Sequence, residues 1–194
     1  SPANMFVLHF NLTKNPLDNK KVRMALCHAI SRDLLVQYLG KDVAKPEISP
    51  LPSGYLGHTQ DVSRYPYDVD KAKKLLAEAG FAEGFKLSMN ISNSAIYLPP
   101  MQIIQEMWKK VGVDLELNVV DHPTYHKLIR QDVNPVVIYG AYRYPLTGTF
   151  GIMRMAQCWG RVDVQNTYER RDSMLVVDEA IILAEFETAQ FGRA

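Results

Sequence analysis

The segment from residue 85 to residue 119 constrains the fold more than any other part of the sequence. Phe85–Ile91 alternates between apolar and polar residues, and so does Val113–Val119, which is typical of strands. Between them, Leu98–Val111 places its apolar residues at helical spacing. Gly112 leads directly from this helix into the second strand, so the two strands are predicted to be parallel with a right-handed connection.

The remaining segments continue this alternation of strands and helices. The sequence predicts a strand at Met5–Phe10, a helix that begins at Asp18 or Asn19 and ends at Gly40, a long surface loop at Lys41–Pro66, a helix capped by Asp68 that ends at Gly80, a short helix at Tyr125–Arg130, a central strand at Pro135–Tyr139 and a final helix at about Ser173–Phe191. We therefore expect an α/β fold with a mixed, mostly parallel sheet flanked by helices.

Composition narrows the range of functions. Hydrophobic residues make up 47% of the 194-residue chain, which is enough for the core of one ordinary domain. The 22 Lys and Arg residues nearly balance the 21 Asp and Glu residues, so no field of one sign would steer the chain onto nucleic acid. No apolar stretch approaches the roughly 18 residues that a membrane span requires. Two cysteines, Cys27 and Cys158, allow one pairing at most, which excludes a disulfide framework.

No residue pattern predicts an enzyme. His122 and His126 have the spacing that places two imidazoles on one helical face, but Pro123 lies between them and no third ligand is nearby in sequence. We interpret them as partly exposed histidines rather than as a metal site. Cys27 and His28 are neighbours, and neighbours on a helix point about 100° apart, so they are badly placed to share a proton. We predict no catalytic residue, no metal and no cofactor.

The aromatic segment that follows the strand at Pro135–Tyr139 is the main candidate for a binding site. In open α/β sheets, ligands lie beyond the carboxyl ends of the strands. This strand end carries Tyr139, Tyr142, Arg143 and Tyr144. Either these side chains line a pocket or the tyrosines only cover an adjacent apolar face, and the residues alone leave both interpretations open.

Several blocks of sequence, distributed over nearly the whole chain, have the order and spacing of a known family. They are Phe10-Asn11, Pro16-Leu17-Asp18-Asn19, Lys21-Val22-Arg23-Met24-Ala25-Leu26, Ala29-Ile30-Ser31-Arg32, Ser49-Pro50-Leu51-Pro52, Tyr65-Pro66-Tyr67-Asp68 and the run from Lys71 to Phe81. On these residues the chain resembles the dipeptide-, oligopeptide- and nickel-binding class of extracytoplasmic solute-binding proteins that serve ABC importers.

The resemblance implies a two-lobed receptor of the type II periplasmic-binding-protein fold, which closes on a small solute held between its lobes. Residues 1–194 are expected to form most of the carboxyl-terminal lobe, with the first lobe and the last helices and returning strands absent. The final helix would then lack cover for its apolar face, which predicts self-association.

The same resemblance implies the partners and the location. The expected partners are a peptide-like or other small solute and the membrane permease of the importer. The expected location is periplasmic or otherwise extracytoplasmic, with membrane association through the importer or a lipid anchor. An enzyme or scaffold that reuses the α/β lobe is the competing function.

The resemblance also suggests ligand contacts. Relatives that bind peptides carry an Asp for the ligand's amino group in the loop after this strand, whereas Arg143 stands at about that position here. An Arg favours a carboxylate or phosphate, so we expect a solute with an anionic or polyhydroxyl group if Arg143 faces the cleft. A one-residue shift of the loop would send Arg143 to solvent instead. Ser92, Asn93 and Tyr97 are further expected contacts, since their loop lies near the cleft in this family.

Overall fold

A computed structural model describes residues 3–40, 44–46, 65–143 and 180–187, and these residues form six strands and five helices. In chain order the elements are β1 (Ala3–Phe10), α1 (Lys20–His28), α2 (Arg32–Leu39), β2 (Ala44–Lys45), α3 (Val69–Glu78), β3 (Phe85–Ser92), α4 (Leu98–Lys109), β4 (Val113–Val120), α5 (His122–Arg130), β5 (Val136–Arg143) and β6 (Ala180–Glu187). The chain is α/β, as predicted.

The predicted parallel pairing of β3 and β4 is confirmed. Strands β3 and β4 are parallel, and their pairing runs from Phe85 opposite Val113 to Ser92 opposite Val120. Helix α4 connects them and packs on β4. Gly112 adopts a φ of 87°, the left-handed conformation that lets the chain leave α4 and enter β4 at once. The alternation of apolar and polar residues in β4 thus corresponds to one buried face, which Val113 and Leu115 form.

The other described strands form a second sheet, in the order β2-β6-β1-β5. All three pairings in this sheet are antiparallel. The sequence predicted that β5 would extend one mostly parallel sheet, but β5 instead pairs with β1, Phe10 lying opposite Val136. The described strands are therefore mixed, as expected, yet only β3 and β4 are parallel. Periodicity identifies a strand and its buried face, whereas the choice of neighbour depends on distant backbone.

The predicted helix that ends at Gly40 is two helices. Helix α1 ends at His28, and Ser31 then caps α2, because its side chain accepts a hydrogen bond from the Leu34 backbone at 3.3 Å. The Ser31 backbone nitrogen donates to Met107 Sδ at 3.4 Å, which ties the break to α4. Serine is a favoured N-cap residue, so a signal for this break was present in the sequence.

The helix predicted at about Ser173–Phe191 is wrong where the structure describes it. Residues 180–187 form β6, which pairs with β1 on one side and with β2 on the other. A short apolar run such as Ala180-Ile181-Ile182-Leu183-Ala184 fits the period of a helix as well as that of a strand. Here the run forms a strand because it pairs with β1. Self-association was expected from an uncovered helical face, and that premise is removed.

The predicted cap on the amino side of α3 is present, and α5 has a cap that was not predicted from the sequence. The Asp68 side chain accepts from the Lys71 backbone at 2.8 Å, and Gly80 follows α3 with a φ of 89°. Helix α5 begins earlier than predicted, because Asp121 accepts from the Thr124 backbone at 3.0 Å and Pro123 occupies the first turn. Proline is well tolerated there, since its missing N–H has no intrahelical partner.

Trp108 of α4 joins the two sheets through the core. Its side chain is completely buried, and its ring stacks on Phe10 of β1 with the ring centroids 6.4 Å apart. The indole nitrogen donates to the Leu26 carbonyl at the end of α1, at 3.2 Å. This hydrogen bond satisfies a last-turn carbonyl of α1. No helix among the described residues is long and apolar enough to cross a membrane.

A polar bridge of asparagines holds β5 beside β3. The Asn134 side chain accepts from the Asn90 backbone and side-chain nitrogens, both at 2.9 Å, and donates to the Asn90 carbonyl at 2.9 Å. The Asn11 side chain donates in turn to the Asn134 carbonyl at 3.2 Å and to Asp132 Oδ1 at 2.7 Å. The bridge positions the start of β5 next to the carboxyl half of β3.

Candidate functional site

The candidate site begins where β3 and β4 end. Ser92 is the last residue of β3, and His122 opens α5 immediately after β4 and its cap, Asp121. The two strands are in register at this end, so the side chains that follow them meet. Ser92 Oγ lies 2.9 Å from His122 Nδ1. Beyond that contact, Ser92 Oγ also accepts from the Ser94 backbone nitrogen at 3.1 Å.

The second histidine of α5 completes a pair with the first. His126 Nε2 lies 3.0 Å from His122 Nε2, and the ring centroids are 4.4 Å apart with the planes nearly perpendicular at 86°. Both side chains are partly exposed, as the sequence predicted. The single helical turn between them brings the imidazoles into direct contact, because residues four apart share one face.

Three tyrosines surround this pair. The Tyr97 ring lies 5.5 Å from the His122 ring and 5.7 Å from the Tyr125 ring, and the Tyr139 ring meets the His126 ring edge-on at 5.9 Å. Tyr125 is completely buried, and its hydroxyl donates to the Ile138 carbonyl of β5 at 2.6 Å. We call Ser92, Tyr97, His122, Tyr125, His126 and Tyr139 the strand-end cluster.

Three of the predicted contacts, Ser92, Tyr97 and Tyr139, are therefore brought together in one place. Tyr97 is buried, with 4% of its surface exposed. Asn93 is exposed, and its backbone nitrogen continues the β3–β4 pairing by donating to the Val120 carbonyl at 2.8 Å. No described contact joins the Asn93 side chain to the cluster.

The structure shifts the start of the predicted aromatic loop. The sequence ended the strand at Tyr139, but β5 continues to Arg143. Tyr142 and Arg143 are strand positions opposite Asn4 and Ala3 of β1. Strand β1 begins at Ala3 and supplies backbone partners for these residues. Tyr144 lies outside the described residues.

Burial controls the protonation of two members of the cluster. It lowers the pKa of the His126 imidazole, and the neighbouring charges of His122 and Arg130 lower that pKa further. Burial also raises the pKa of the Tyr125 phenol above its usual range, with smaller contributions from Tyr97 and Tyr139. A neutral phenol remains a hydrogen-bond donor, which keeps α5 attached to β5.

The Ser92–His122 contact has the composition of a nucleophile with its base, but its burial argues against that role. Ser92 has 0% of its surface exposed, so no substrate atom reaches its hydroxyl in this conformation. The hydroxyl instead fixes one nitrogen of the His122 ring. Its geometry is that of a positioning group rather than of a catalytic residue.

Sequence reasoning missed the two histidines and Tyr125 as members of this site. The signal was available, because His122 directly follows a predicted strand whose carboxyl end lies beside the end of β3. Ligands of open α/β sheets lie beyond the carboxyl ends of strands, and this rule, which led to Tyr139, applies equally to residues that follow β4. Pro123 was interpreted as evidence that His122 and His126 do not share one face of a helix. Proline is nevertheless tolerated in the first turn of a helix, where Pro123 lies.

Comparison with known proteins assigns the family. Residues 1–160 match the family model described as bacterial extracellular solute-binding proteins, family 5 Middle. The chain belongs to this family. Among curated members, the family 5 chain is 33% identical over 144 residues to the dipeptide-binding protein of Escherichia coli (strain K12), which covers 71% of this chain and 26% of the relative. It is 34% identical over 124 residues to the glutathione-binding protein of Pectobacterium atrosepticum. This match covers 61% of this chain and 24% of the glutathione-binding protein.

Solved structures agree with this assignment. The family 5 chain superposes on the solute-binding protein MoaA of A. tumefaciens R10, solved in complex with mannopinic acid, with a TM-score of 0.78 and 29% identity. The match covers 96% of this chain and 44% of MoaA. The chain thus spans about a quarter of the curated relatives it matches and less than half of this solved structure.

Proposed function

We propose that this family 5 chain forms part of one lobe of the substrate-binding component of an ABC importer, which captures a peptide-like or other small solute. The observation that carries the proposal is the strand-end cluster in a chain of this family. It places two partly exposed imidazoles where β3 and β4 end, beside the partly exposed ring of Tyr139 on β5. Ligands of open α/β sheets bind at such strand ends.

The proposal includes the lobe arrangement and the partners. Residues 1–194 belong to the carboxyl-terminal lobe, the solute lies between this lobe and a second one, and the membrane permease of the importer receives it outside the cytoplasm. Binding drives closure, because only the closed state contacts the solute from both sides and gains the affinity that shifts the population. The named ligands of the relatives differ from one another, so the residues of this chain must decide its solute.

Within this proposal, Arg143 selects a solute with an anionic group. The support is chemical: a guanidinium offers a planar, permanently charged set of donors that fits a carboxylate and repels an ammonium group. The backbone of Arg143 ends β5, the strand that carries Tyr139. A free amino terminus is therefore not the group that anchors the solute.

The first experiment is a thermal unfolding screen of the protein with dipeptides, N-acetylated dipeptides, neutral sugars and sugar acids. A solute at 100 times its dissociation constant adds about 2.7 kcal/mol to the free energy of unfolding, a shift of several degrees. We expect the acidic solutes to give the largest shifts. If no solute shifts unfolding while an ester or peptide substrate is turned over, the enzyme alternative replaces this proposal.

The second experiment isolates the two proposed contacts. With the best solute from the screen, Tyr139→Ala and Arg143→Ala are each expected to weaken binding about tenfold or more, as loss of an aromatic or charged contact does at a binding site. Lys127→Ala is the matched control, because Lys127 is exposed on α5 and outside the cluster. Unchanged affinity in Arg143→Ala removes the anionic anchor, and unchanged affinity in Tyr139→Ala removes the cluster from the binding site.

A further inference from the structure

Ser92, His122 and His126 form a chain of hydrogen bonds that runs from the end of β3 onto α5. The Ser94 backbone nitrogen donates to Ser92 Oγ at 3.1 Å, Ser92 Oγ lies 2.9 Å from His122 Nδ1, and His122 Nε2 lies 3.0 Å from His126 Nε2. A neutral imidazole carries one ring N–H, so one of its nitrogens donates and the other accepts. The direction of one hydrogen bond in this chain therefore fixes the direction of the next.

The buried hydroxyl of Ser92 sets that direction. Ser92 has 0% of its surface exposed, so its hydroxyl hydrogen must reach an acceptor within the protein. The Ser94 nitrogen is itself a donor, and His122 Nδ1 is the one acceptor that the described contacts of this hydroxyl include. Ser92 therefore donates to His122 Nδ1, which places the hydrogen of neutral His122 on Nε2.

The same rule places the hydrogen of His126. His122 Nε2 donates to His126 Nε2, so neutral His126 carries its hydrogen on Nδ1. Burial lowers the pKa of the His126 imidazole below its ordinary value of 6.5, and His122 and Arg130 lower that pKa further. The ring of His126 is thus neutral at about pH 7 and has a single N–H to offer.

The Nδ1 hydrogen of His126 is available to a bound molecule. Among the described residues, none accepts a hydrogen bond from this nitrogen, and the imidazole is partly exposed. The ring of Tyr139 meets the imidazole edge-on at 5.9 Å. An aromatic surface beside a polar group of fixed direction is the usual composition of a small-molecule site.

We infer that Ser92 and His122 are positioning residues that hold His126 in the Nδ1–H form, and that His126 thereby selects a solute with an oxygen acceptor such as a carboxylate. An ammonium group has no lone pair for this hydrogen, whereas a carboxylate accepts through either oxygen. The order of the hydrogens does not depend on the proposed transport function. The selection of the solute rests on that function.

Long-range proton–nitrogen correlation NMR spectra of the unliganded, histidine-labelled protein test the order of the hydrogens. They are recorded at about pH 8, where an ordinary histidine is neutral. Variants that replace one histidine at a time assign the five histidines. We expect the Nε2–H form for His122 and the Nδ1–H form for His126, and a mixture of both forms for each ring in Ser92→Ala.

His28 is the internal control for these spectra. Its Nδ1 lies 2.8 Å from the Pro66 carbonyl oxygen, which can only accept, so neutral His28 must be in the Nδ1–H form. The signal of His28 should be the same in the wild type and in Ser92→Ala. Circular dichroism and the unfolding temperature establish that each variant is folded.

The second measurement is the affinity for the acidic solute that most stabilises the protein in the thermal screen. His126→Asn places an amide nitrogen as many bonds from Cβ as Nδ1, whereas His126→Gln places it as many bonds away as Nε2. We expect His126→Gln to weaken binding about tenfold or more and His126→Asn to weaken it less. Ser92→Ala should weaken binding about twofold, because about half of the molecules then hold the other form of His126.

The inference is overturned if unliganded His126 is in the Nε2–H form, or if a folded Ser92→Ala variant leaves the forms of both histidines unchanged. It is also overturned if His126→Gln binds the solute as tightly as the wild type, or if His126→Asn binds it no better than His126→Gln. If no solute binds to the wild type, the proposed function fails and the selection of the solute fails with it. The spectra of the unliganded protein still decide the order of the hydrogens in that case.

Discussion

Asn134 and Asn90 exchange three hydrogen bonds, each 2.9 Å long, across the gap between β5 and β3. Asn134 is 2% exposed and Asn90 is partly buried, so these bonds are partly shielded from water. They connect the two sheets at the level where the strand-end cluster begins. The bridge therefore helps to position Tyr139 relative to the histidine pair, together with the hydrogen bond from the Tyr125 hydroxyl to the Ile138 carbonyl.

Asn134→Ala should lower the free energy of unfolding by about 1–3 kcal/mol, because it leaves three partly buried polar groups of Asn90 without these partners. Denaturant unfolding measures this loss. Asn118→Ala is the matched control: Asn118 also makes a cross-strand hydrogen bond, to Ser88 Oγ at 2.8 Å, but in an exposed position. Its loss should cost about 0.5 kcal/mol or less. Equal costs for the two variants would show that the bridge does not join the sheets.

Two glycines that share a left-handed backbone should respond differently to alanine. A Cβ at Gly84 would lie 1.9 Å from the Gly112 carbonyl oxygen, whereas a Cβ at Gly80 meets nothing within 4 Å. Gly80→Ala should cost about 1–2 kcal/mol from backbone strain alone. Gly84→Ala adds overpacking of about 1–3 kcal/mol or more. Denaturant midpoints in the reverse order would disprove the close approach of these two turns.

Trp108→Phe should cost about 2–3 kcal/mol of unfolding free energy, because it removes the donor to the Leu26 carbonyl and leaves part of a closely packed site empty. Tyr38→Phe is an aromatic control, since Tyr38 is 62% exposed on α2 and should change stability by about 0.5 kcal/mol or less. Thermal and denaturant unfolding monitored by far-ultraviolet circular dichroism report both. A neutral Trp108→Phe variant would contradict the role of the indole in joining α4 to α1.

The contact between α1 and α3 predicts a small dependence of stability on acid. The Lys21 Nζ lies 2.9 Å from Glu78 Oε2, and this hydrogen bond and charge lower the pKa of the Glu78 carboxyl below its ordinary value of 4.5. A carboxyl whose pKa is lowered by folding stabilises the fold above its unfolded pKa. That contribution is lost as the pH falls below 4.5 and through the folded value.

Glu78→Gln should therefore show a shallower loss of stability than the wild type as the pH is lowered through this window. The pair is exposed, so the difference should be small and should diminish in about 1 M salt. Glu106→Gln, at another exposed glutamate, is the control and should follow the wild type. Denaturant midpoints across the pH series provide the measurement. A Glu78→Gln profile parallel to that of the wild type would remove the pair as a source of acid sensitivity.

Patterns that depend on nearby residues predicted their elements well. The crossover from β3 through α4 to β4 repeats its apolar residues at clear periods, and Asp68 and Gly80 mark the two ends of α3. Tyr139 was predicted as a site residue because the strand was expected to end there, and Ser92, Asn93 and Tyr97 were predicted from the family resemblance; all four remain predictions. The signals of the crossover and of α3 are local, since hydrogen-bonding and steric preferences act within a few residues.

Segments whose outcome depends on a distant partner were predicted less well. The run at residues 180–187 fits either period and becomes a strand between β1 and β2. The break at Ser31 depends in part on Met107 of α4. Arg143 was expected in a loop, yet it ends a strand because Ala3 lies opposite. In each case the deciding group is far away in sequence.

By itself, the sequence determined the α/β class, the parallel crossover and the family, because these follow from periodic burial and from blocks of residues read in order. Only the tertiary structure decided that β5 joins β1, that residues 180–187 form a strand and that two histidines meet at the end of β4. The physical reason is that backbone hydrogen bonds between strands, and contacts between side chains from different elements, are satisfied by whichever partner the complete fold brings within reach.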